Sequence, residues 1–220
     1  MGCRTAWVDA SMKEILYDWG GINVWLFHLI NNIRFEYLDK FMLLGTGLGE
    51  HVNFPIYLAL LTFVALVVIA RTPLPDAAQY RALTLRWMSV IAVFSIAYLL
   101  DGLLLGILKP LLDFPRPPLA LPLDSVHIVG IAEYHHSLPS GHSSFAMLTV
   151  ASLWPILNRW WRMAGMFSVL WVGCSRVSMG AHFPADVLAG FLSSLAVVLL
   201  VYAAVQALIH RMTKLTRPKI

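Results

Sequence analysis

The sequence predicts an all-α fold, a polytopic transmembrane helical bundle with five spans plus an N-terminal interfacial or broken sixth helix. Three observations predict it. Of the 220 residues, 59% are hydrophobic and only 13% charged, whereas soluble domains are about half apolar and about a quarter charged. The apolar residues gather in runs long enough to cross a hydrocarbon core of about 30 Å. The cations sit between those runs on alternating sides, as topology rules require.

Residues 20–49 precede the first clear run. They are apolar in pieces, Val24 to Ile30 and Phe41 to Leu44, with Arg34, Glu36, Asp39 and Lys40 between. Charges at the centre of a span are costly, so one or two interfacial helices are expected here, with a broken sixth span as the alternative. Val52 to Ala70 is nineteen residues without a charge. Trp87 to Leu108 is a second span, broken only by Asp101. His142 to Trp161 is a third, with Pro155 near its far end. Met163 to Ser175 is a short fourth, bounded by the Trp160-Trp161 pair as an interfacial belt. Val187 to Ile209 is the last.

The first twenty residues carry Asp9, Glu14 and Asp18 and lack an apolar core, so no cleavable signal peptide is read there. Cys3 and Cys174 are too far apart in sequence and context to suggest a disulfide framework or metal knuckle. There is no internal repeat or linker. Residues 1–220 therefore read as one membrane-embedded domain: an N-terminal interfacial region (1–50), a transmembrane core (51–210) and a basic tail (211–220).

The formal net charge is +4, and its placement says more than its sum. Arg71, Arg81 and Arg86 follow the first span, Arg159 and Arg162 the third, and Arg211, Lys214, Arg217 and Lys219 the fifth. With five alternating helices these fall on one side, cytoplasmic by the positive-inside rule. The outer side receives segments 109–141 and 175–186. Apart from the N-terminal region, its only cations are Lys109, Arg116 and Arg176, which need another explanation than topology. No nucleic-acid partner is expected; the partners are the bilayer and a lipid phosphate.

Three blocks carry the chemistry. The first is Lys109-Pro-Leu-Leu-Asp-Phe-Pro-Arg116-Pro117, where prolines 110, 115, 117 and 118 are expected to end the helix and stiffen the turn. The second is Leu138-Pro139-Ser140-Gly141-His142-Ser143-Ser144. It starts a helix, whose free N–H groups suit an oxyanion, and Gly141 allows close approach to the backbone. The third runs from Ser175-Arg176 through His182 to Asp186. A carboxylate beside an imidazole fixes its tautomer and leaves the other nitrogen free to attack. Alone, each block has an ordinary reading: snorkelling cations, a capped helix, an incidental histidine. Together they place three cations, a hydroxyl, helix amides, two histidines and a carboxylate on one membrane face. That inventory fits phosphoryl transfer, where charge neutralisation dominates. It fits metal chemistry poorly, because Asp186 is the only acid in it that could serve as a ligand; no metal and no cofactor are expected.

These residues resemble the type 2 phosphatidic acid phosphatase family, whose signature is Lys-x6-Arg-Pro, then Pro-Ser-Gly-His, then Ser-Arg-x5-His-x3-Asp. All three blocks are intact and in order over about 80 residues. The resemblance implies that His182 attacks phosphorus and becomes a phosphohistidine while Asp186 holds its ring. It implies that His142 protonates the leaving oxygen and then activates water, and that Lys109, Arg116, Ser140, Gly141 and Arg176 bind the phosphate. The family has six spans, so the charged N-terminal region is a departure.

Asp101, eight residues before Lys109, is a candidate partner standing behind the site, since an acid within a span needs a reason. His135 and His136 either line the entrance or belong to a solvated loop. Undecaprenyl pyrophosphate, phosphatidylglycerophosphate and lipid A phosphates are candidate substrates, in a bacterial inner membrane inferred from the small size and minimal loops. The same site would serve a lipid phosphotransferase. A vanadate-dependent haloperoxidase has a similar anion pocket, but the spans argue against it. A transporter leaves the outer cations unexplained.

Overall fold

The computed structural model of the protein describes residues 17–73 and 75–215, and every regular element among them is helical. The readings made on Cys3, Asp9, Glu14, Arg217 and Lys219 lie outside the described residues. In chain order, α1 is Ile22–Asn31, α2 Glu36–Leu48, α3 Phe54–Arg71, α4 Ala77–Leu112, α5 Gly141–Leu153, α6 Arg159–Ser178 and α7 Pro184–Leu215. A 3-10 turn, His51–Asn53, leads into α3, and a four-residue helix, Pro117–Ala120, follows α4.

Among the described residues, three stretches are long and apolar enough to cross a membrane: His51–Arg71, Ala77–Ala120 and Pro184–Lys214. They coincide with the first, second and fifth expected spans. Leu99, Leu103 and Leu200 point outward, while Asp101, Ser143, Ser144, His182 and Asp186 are buried. Apolar surface turned outward, over an interior that also buries these polar side chains, suits lipid as the medium.

Boundaries differ from expectation for local reasons. α4 begins ten residues before Trp87 because the Asp76 side chain caps it, accepting the Gln79 N–H at 2.7 Å. It also continues past Leu108, and Pro110 does not end it. That proline lies within the last turn, and Asp113, with a left-handed φ of 38°, terminates the helix. So close to a C-terminus a proline forfeits one amide bond but keeps a helical φ. α5 stops at Leu153, short of Trp161, as Pro155 and its turn take over. Its 13 residues span about 20 Å at 1.5 Å per residue. α6 starts at Arg159, four residues before Met163, where the Asn158 side chain accepts the Trp161 N–H at 3.0 Å. α5 and α6 thus stand where the third and fourth spans were expected; α5 is shorter than the other three, and α6, 20 residues long, is less apolar.

α3, α4, α5 and α7 converge on a core of Leu61, Trp87, Val90, Phe94, Phe145, Leu148 and Val198. α5 and α7 approach so closely that a Cβ at Gly190 would lie 2.5 Å from the Ser140 carbonyl oxygen. The N-terminal region forms two helices, and they are tied to the bundle. The Asn31 amide donates to the carbonyls of His127 and Ser178 at 2.8 and 2.9 Å and accepts the His127 N–H at 2.8 Å. Asn23 accepts the Ala185 N–H at 2.9 Å. α2 lies along α6, with Phe41 stacked on Trp171 at 4.3 Å.

Candidate active site

Backbone hydrogen bonds join the three sequence blocks at one end of the bundle. The Arg116 N–H donates to Tyr134 O and the Ser137 N–H to Phe114 O, both at 2.9 Å. The Ser140 N–H donates to Asp186 O at 3.0 Å. Where α6 ends, the Ala181 N–H reaches Arg176 O and the Gly180 N–H reaches Val177 O, both at 3.0 Å. This is the Schellman arrangement, with Gly180 at φ 74°. Gly180 is needed twice over, because a Cβ there would lie 2.4 Å from His127 O. The turn delivers His182 immediately after α6. The next helix opens on Pro184 at its first position, and Asp186 reaches back to accept the Phe183 N–H at 2.8 Å.

His182 and Asp186 are both buried, with Nδ1 and Oδ2 3.4 Å apart. The other ring nitrogen, Nε2, lies 3.2 Å from Arg116 Nη1. A guanidinium only donates, so Nε2 is the acceptor and the ring proton sits on Nδ1, facing Asp186. Burial, opposed by the hydrogen bond and charge of Asp186, pulls the His182 pKa down to about 4. The imidazole is therefore neutral at physiological pH, with the Nε2 lone pair available.

Arg116 and Arg176 are the cations whose charge reaches His182. Arg116 also donates from Nε to His135 O at 3.0 Å, from Nη1 to Ala181 O at 3.2 Å, and pairs through Nη2 with Glu133 at 2.5 Å. Arg176 donates to Thr46 Oγ1 at 2.8 Å, while its buried Nε has no partner. A buried N–H left unpaired is costly, and an oxyanion would satisfy it. His142 has Arg176, His182, His51 and Lys109 as its charged or titratable neighbours. A Cβ built on Gly141 would lie 3.9 Å from Lys109 Nζ and 3.3 Å from His51 Cε1. Ser140 precedes α5 without capping it through its side chain; its Oγ instead accepts from Ser143 Oγ at 3.0 Å. A cavity of about 250 Å³ opens here, lined by Thr46, Glu50, Glu133, His142 and Arg176 among others.

All eight residues singled out in the blocks thus gather around one region. Asp101 stands behind it: fully buried, it accepts the Ser144 hydroxyl on both carboxylate oxygens, at 2.8 and 2.7 Å, within the first turn of α5. His136 turns its Nδ1 to Lys109 O and to Asp113, both at 3.1 Å, and His135 contributes its carbonyl to Arg116. Their rings are half-exposed on the loop over Lys109. Sequence reasoning missed Ser137 and Tyr17, whose hydroxyls donate to Asp186 at 2.5 and 2.9 Å. It also missed Thr46, Glu50, His51 and Glu133. Burial, reinforced by the Asp186 charge, holds the Tyr17 phenol above its usual range, so it stays a donor. Among the described residues, no group of three or more His, Cys, Asp or Glu side chains is arranged to hold a metal ion.

The profile of the PAP2 superfamily matches residues 88–210, more than half of the chain. The chain belongs to the PAP2 superfamily. This PAP2 chain is 30% identical over 118 residues to lipid A 1-phosphatases of Rhizobium johnstonii and Rhizobium etli, covering 50% of its own length and 45% and 47% of theirs. It spans about half the length of the curated relatives it matches. Its fold is similar to that of Aquifex aeolicus LpxE, with a TM-score of 0.63 and 23% identity over 82% of this chain and 94% of that one. A transmembrane PAP2 type phosphatidylglycerolphosphate phosphatase from Bacillus subtilis gives a TM-score of 0.59 and 24% identity over 87% and 88%.

Proposed function

We propose that this PAP2 protein is an integral membrane phosphatase that hydrolyses a lipid phosphate or pyrophosphate through a phosphohistidine intermediate, without a metal. The observation that carries the reading is the environment of His182: Nδ1 faces Asp186, and Nε2 faces the Arg116 guanidinium where an anion would bind. In the first step the Nε2 lone pair forms a bond to phosphorus and the bond from phosphorus to the lipid oxygen breaks. His142 gives that oxygen its proton. In the second step His142 takes a proton from water, which attacks phosphorus, and the nitrogen–phosphorus bond breaks to release inorganic phosphate. Arg116, Arg176, Lys109, the Ser140 hydroxyl and the Gly141 N–H neutralise the equatorial oxygens.

The names of the curated relatives favour lipid A phosphate among the candidate substrates, with phosphatidylglycerophosphate and undecaprenyl pyrophosphate beside it. If a second lipid's hydroxyl replaced water, the same site would be a phosphotransferase, and its product would be a newly phosphorylated lipid. The membrane is the bacterial inner membrane, crossed by five helices with the site outward and the C-terminus cytoplasmic.

Purified protein in detergent should release inorganic phosphate from at least one of these lipids, and EDTA should leave the rate unchanged. Loss on chelation, restored by Mg²⁺, would overturn the metal-free mechanism. The orientation has its own test, in a background free of Cys3 and Cys174. Ile131 and Trp160 are 93% and 72% exposed. Ile131→Cys should react with a membrane-impermeant thiol reagent applied outside intact cells, and Trp160→Cys should not. The opposite labelling would invert the topology.

A further inference from the structure

We propose that Tyr17 is a positioning residue for phosphoryl transfer: its phenol holds Asp186, and through Asp186 the ring of His182. The inference rests on the phosphohistidine reading above. The two oxygens of Asp186 are held differently. Oδ2 receives the Phe183 N–H at 2.8 Å, the Ser137 hydroxyl at 2.5 Å and faces His182 Nδ1 at 3.4 Å. Oδ1 receives the Tyr17 hydroxyl at 2.9 Å. A carboxylate held through one oxygen can still turn about it; a donor on the other oxygen stops that rotation. Only then does Oδ2 stay aimed at Nδ1, with the ring turned so that Nε2 faces the phosphate site.

Tyr17 is itself fixed from two sides. Its ring lies 4.3 Å from that of Phe114 and meets Phe183 edge-on at 6.2 Å. Phe114 belongs to the turn that carries Arg116, and Phe183 is the neighbour of His182. The phenol therefore reads the relative placement of the first and third blocks and reports it to the carboxylate between them. It arrives from 71 residues before the start of the matched family region at residue 88, which is why no motif contains it.

Tyr17→Phe removes the hydroxyl and keeps the ring contacts. The burst of p-nitrophenol from p-nitrophenyl phosphate should slow about ten-fold, the lower end of the effect of removing a partner that orients a metal-ligating side chain, here applied to an imidazole oriented in the same way. KM should hardly change, and the variant should remain folded in detergent. In an Asp186→Asn background the same substitution should have no further effect on the burst, because its path to His182 is gone. Equal slowing in both backgrounds, or an unchanged burst in Tyr17→Phe alone, overturns the proposal. A second readout needs no Asp186 variant. The ¹⁵N shifts of the His182 ring should report one tautomer in the wild type and a mixture in Tyr17→Phe; a single unchanged tautomer overturns it as well. If the wild type itself forms no phosphoenzyme, the functional reading falls first and this inference with it. A normal wild-type burst with a normal Tyr17→Phe burst sinks only the role of Tyr17.

Discussion

Replacing His182 with alanine should abolish phosphoenzyme formation and turnover with every substrate, because the nitrogen proposed to bond to phosphorus is gone. Replacing His142 should act differently. General acid–base help is worth about 10²–10⁴-fold, depending on how much the leaving group needs a proton. A lipid alkoxide needs one; p-nitrophenolate, a weak base, scarcely does. His142→Ala should therefore lose nearly all activity on lipid yet still give a burst of about one p-nitrophenol per enzyme. Slow turnover should follow the burst, since the same imidazole activates water. Chromogenic burst kinetics on the two variants decide the matter. A burst that survives loss of His182 and vanishes with His142 would exchange their roles.

Gly190→Ala should be nearly as damaging without touching a reacting atom. Its Cβ would lie 2.5 Å from the Ser140 carbonyl oxygen and 3.2 Å from the Ser144 nitrogen. Both are backbone atoms that cannot swing aside, so α5 must move away from α7. That movement carries Ser140, Gly141 and His142 away from Asp186, to which the Ser140 N–H is bonded. Displacing a reacting group by about 1 Å can cost about 10²-fold, and overpacking costs about 1–3 kcal/mol of stability. Gly106→Ala is the control, because nothing lies within 4 Å of the Cβ it would add. Phosphate release and thermal midpoints should fall together in Gly190→Ala and hold in Gly106→Ala. Full activity in Gly190→Ala would mean the two helices are not wedged as closely as described.

The three blocks were legible in the sequence because each packs its chemistry into a few consecutive residues with Pro115, Pro139 or Pro184 among them. Local spacing put His182 four residues from Asp186, and the structure keeps them 3.4 Å apart although His182 precedes the helix. What was not legible comes from far away in the chain. Ser137 and Tyr17 meet Asp186 across 49 and 169 positions, and Thr46 meets Arg176 across 130. A lone hydroxyl in an apolar neighbourhood has no periodicity to reveal its partner. α1 read as an interfacial helix because its charged flanks dominate the pattern. Asn23 and Asn31, which pin it to the loops around the site, look like ordinary polar interruptions until the fold closes over them. The early start of α4 had a visible signal, Asp76 three residues before Gln79, but Arg81 and Arg86 drew the boundary inward.

α4 runs for 36 residues, about 54 Å at 1.5 Å per residue. A hydrocarbon core is about 30 Å thick, so even when tilted the helix stands proud of it. Lys109 lies near its C-terminal end, and Asp101 sits two turns below, bonded to Ser144. In the reading proposed above, Lys109 near the outer end of this rod is the cation that would meet the phosphate of a lipid headgroup. A lipid approaching this flank would then not need to be hoisted into a pocket. Its chains would stay among their neighbours, and only the polar end would step sideways toward His182. In that reading the rod, longer than the bilayer is thick, would serve as a gauge of the depth at which phosphorus meets nitrogen.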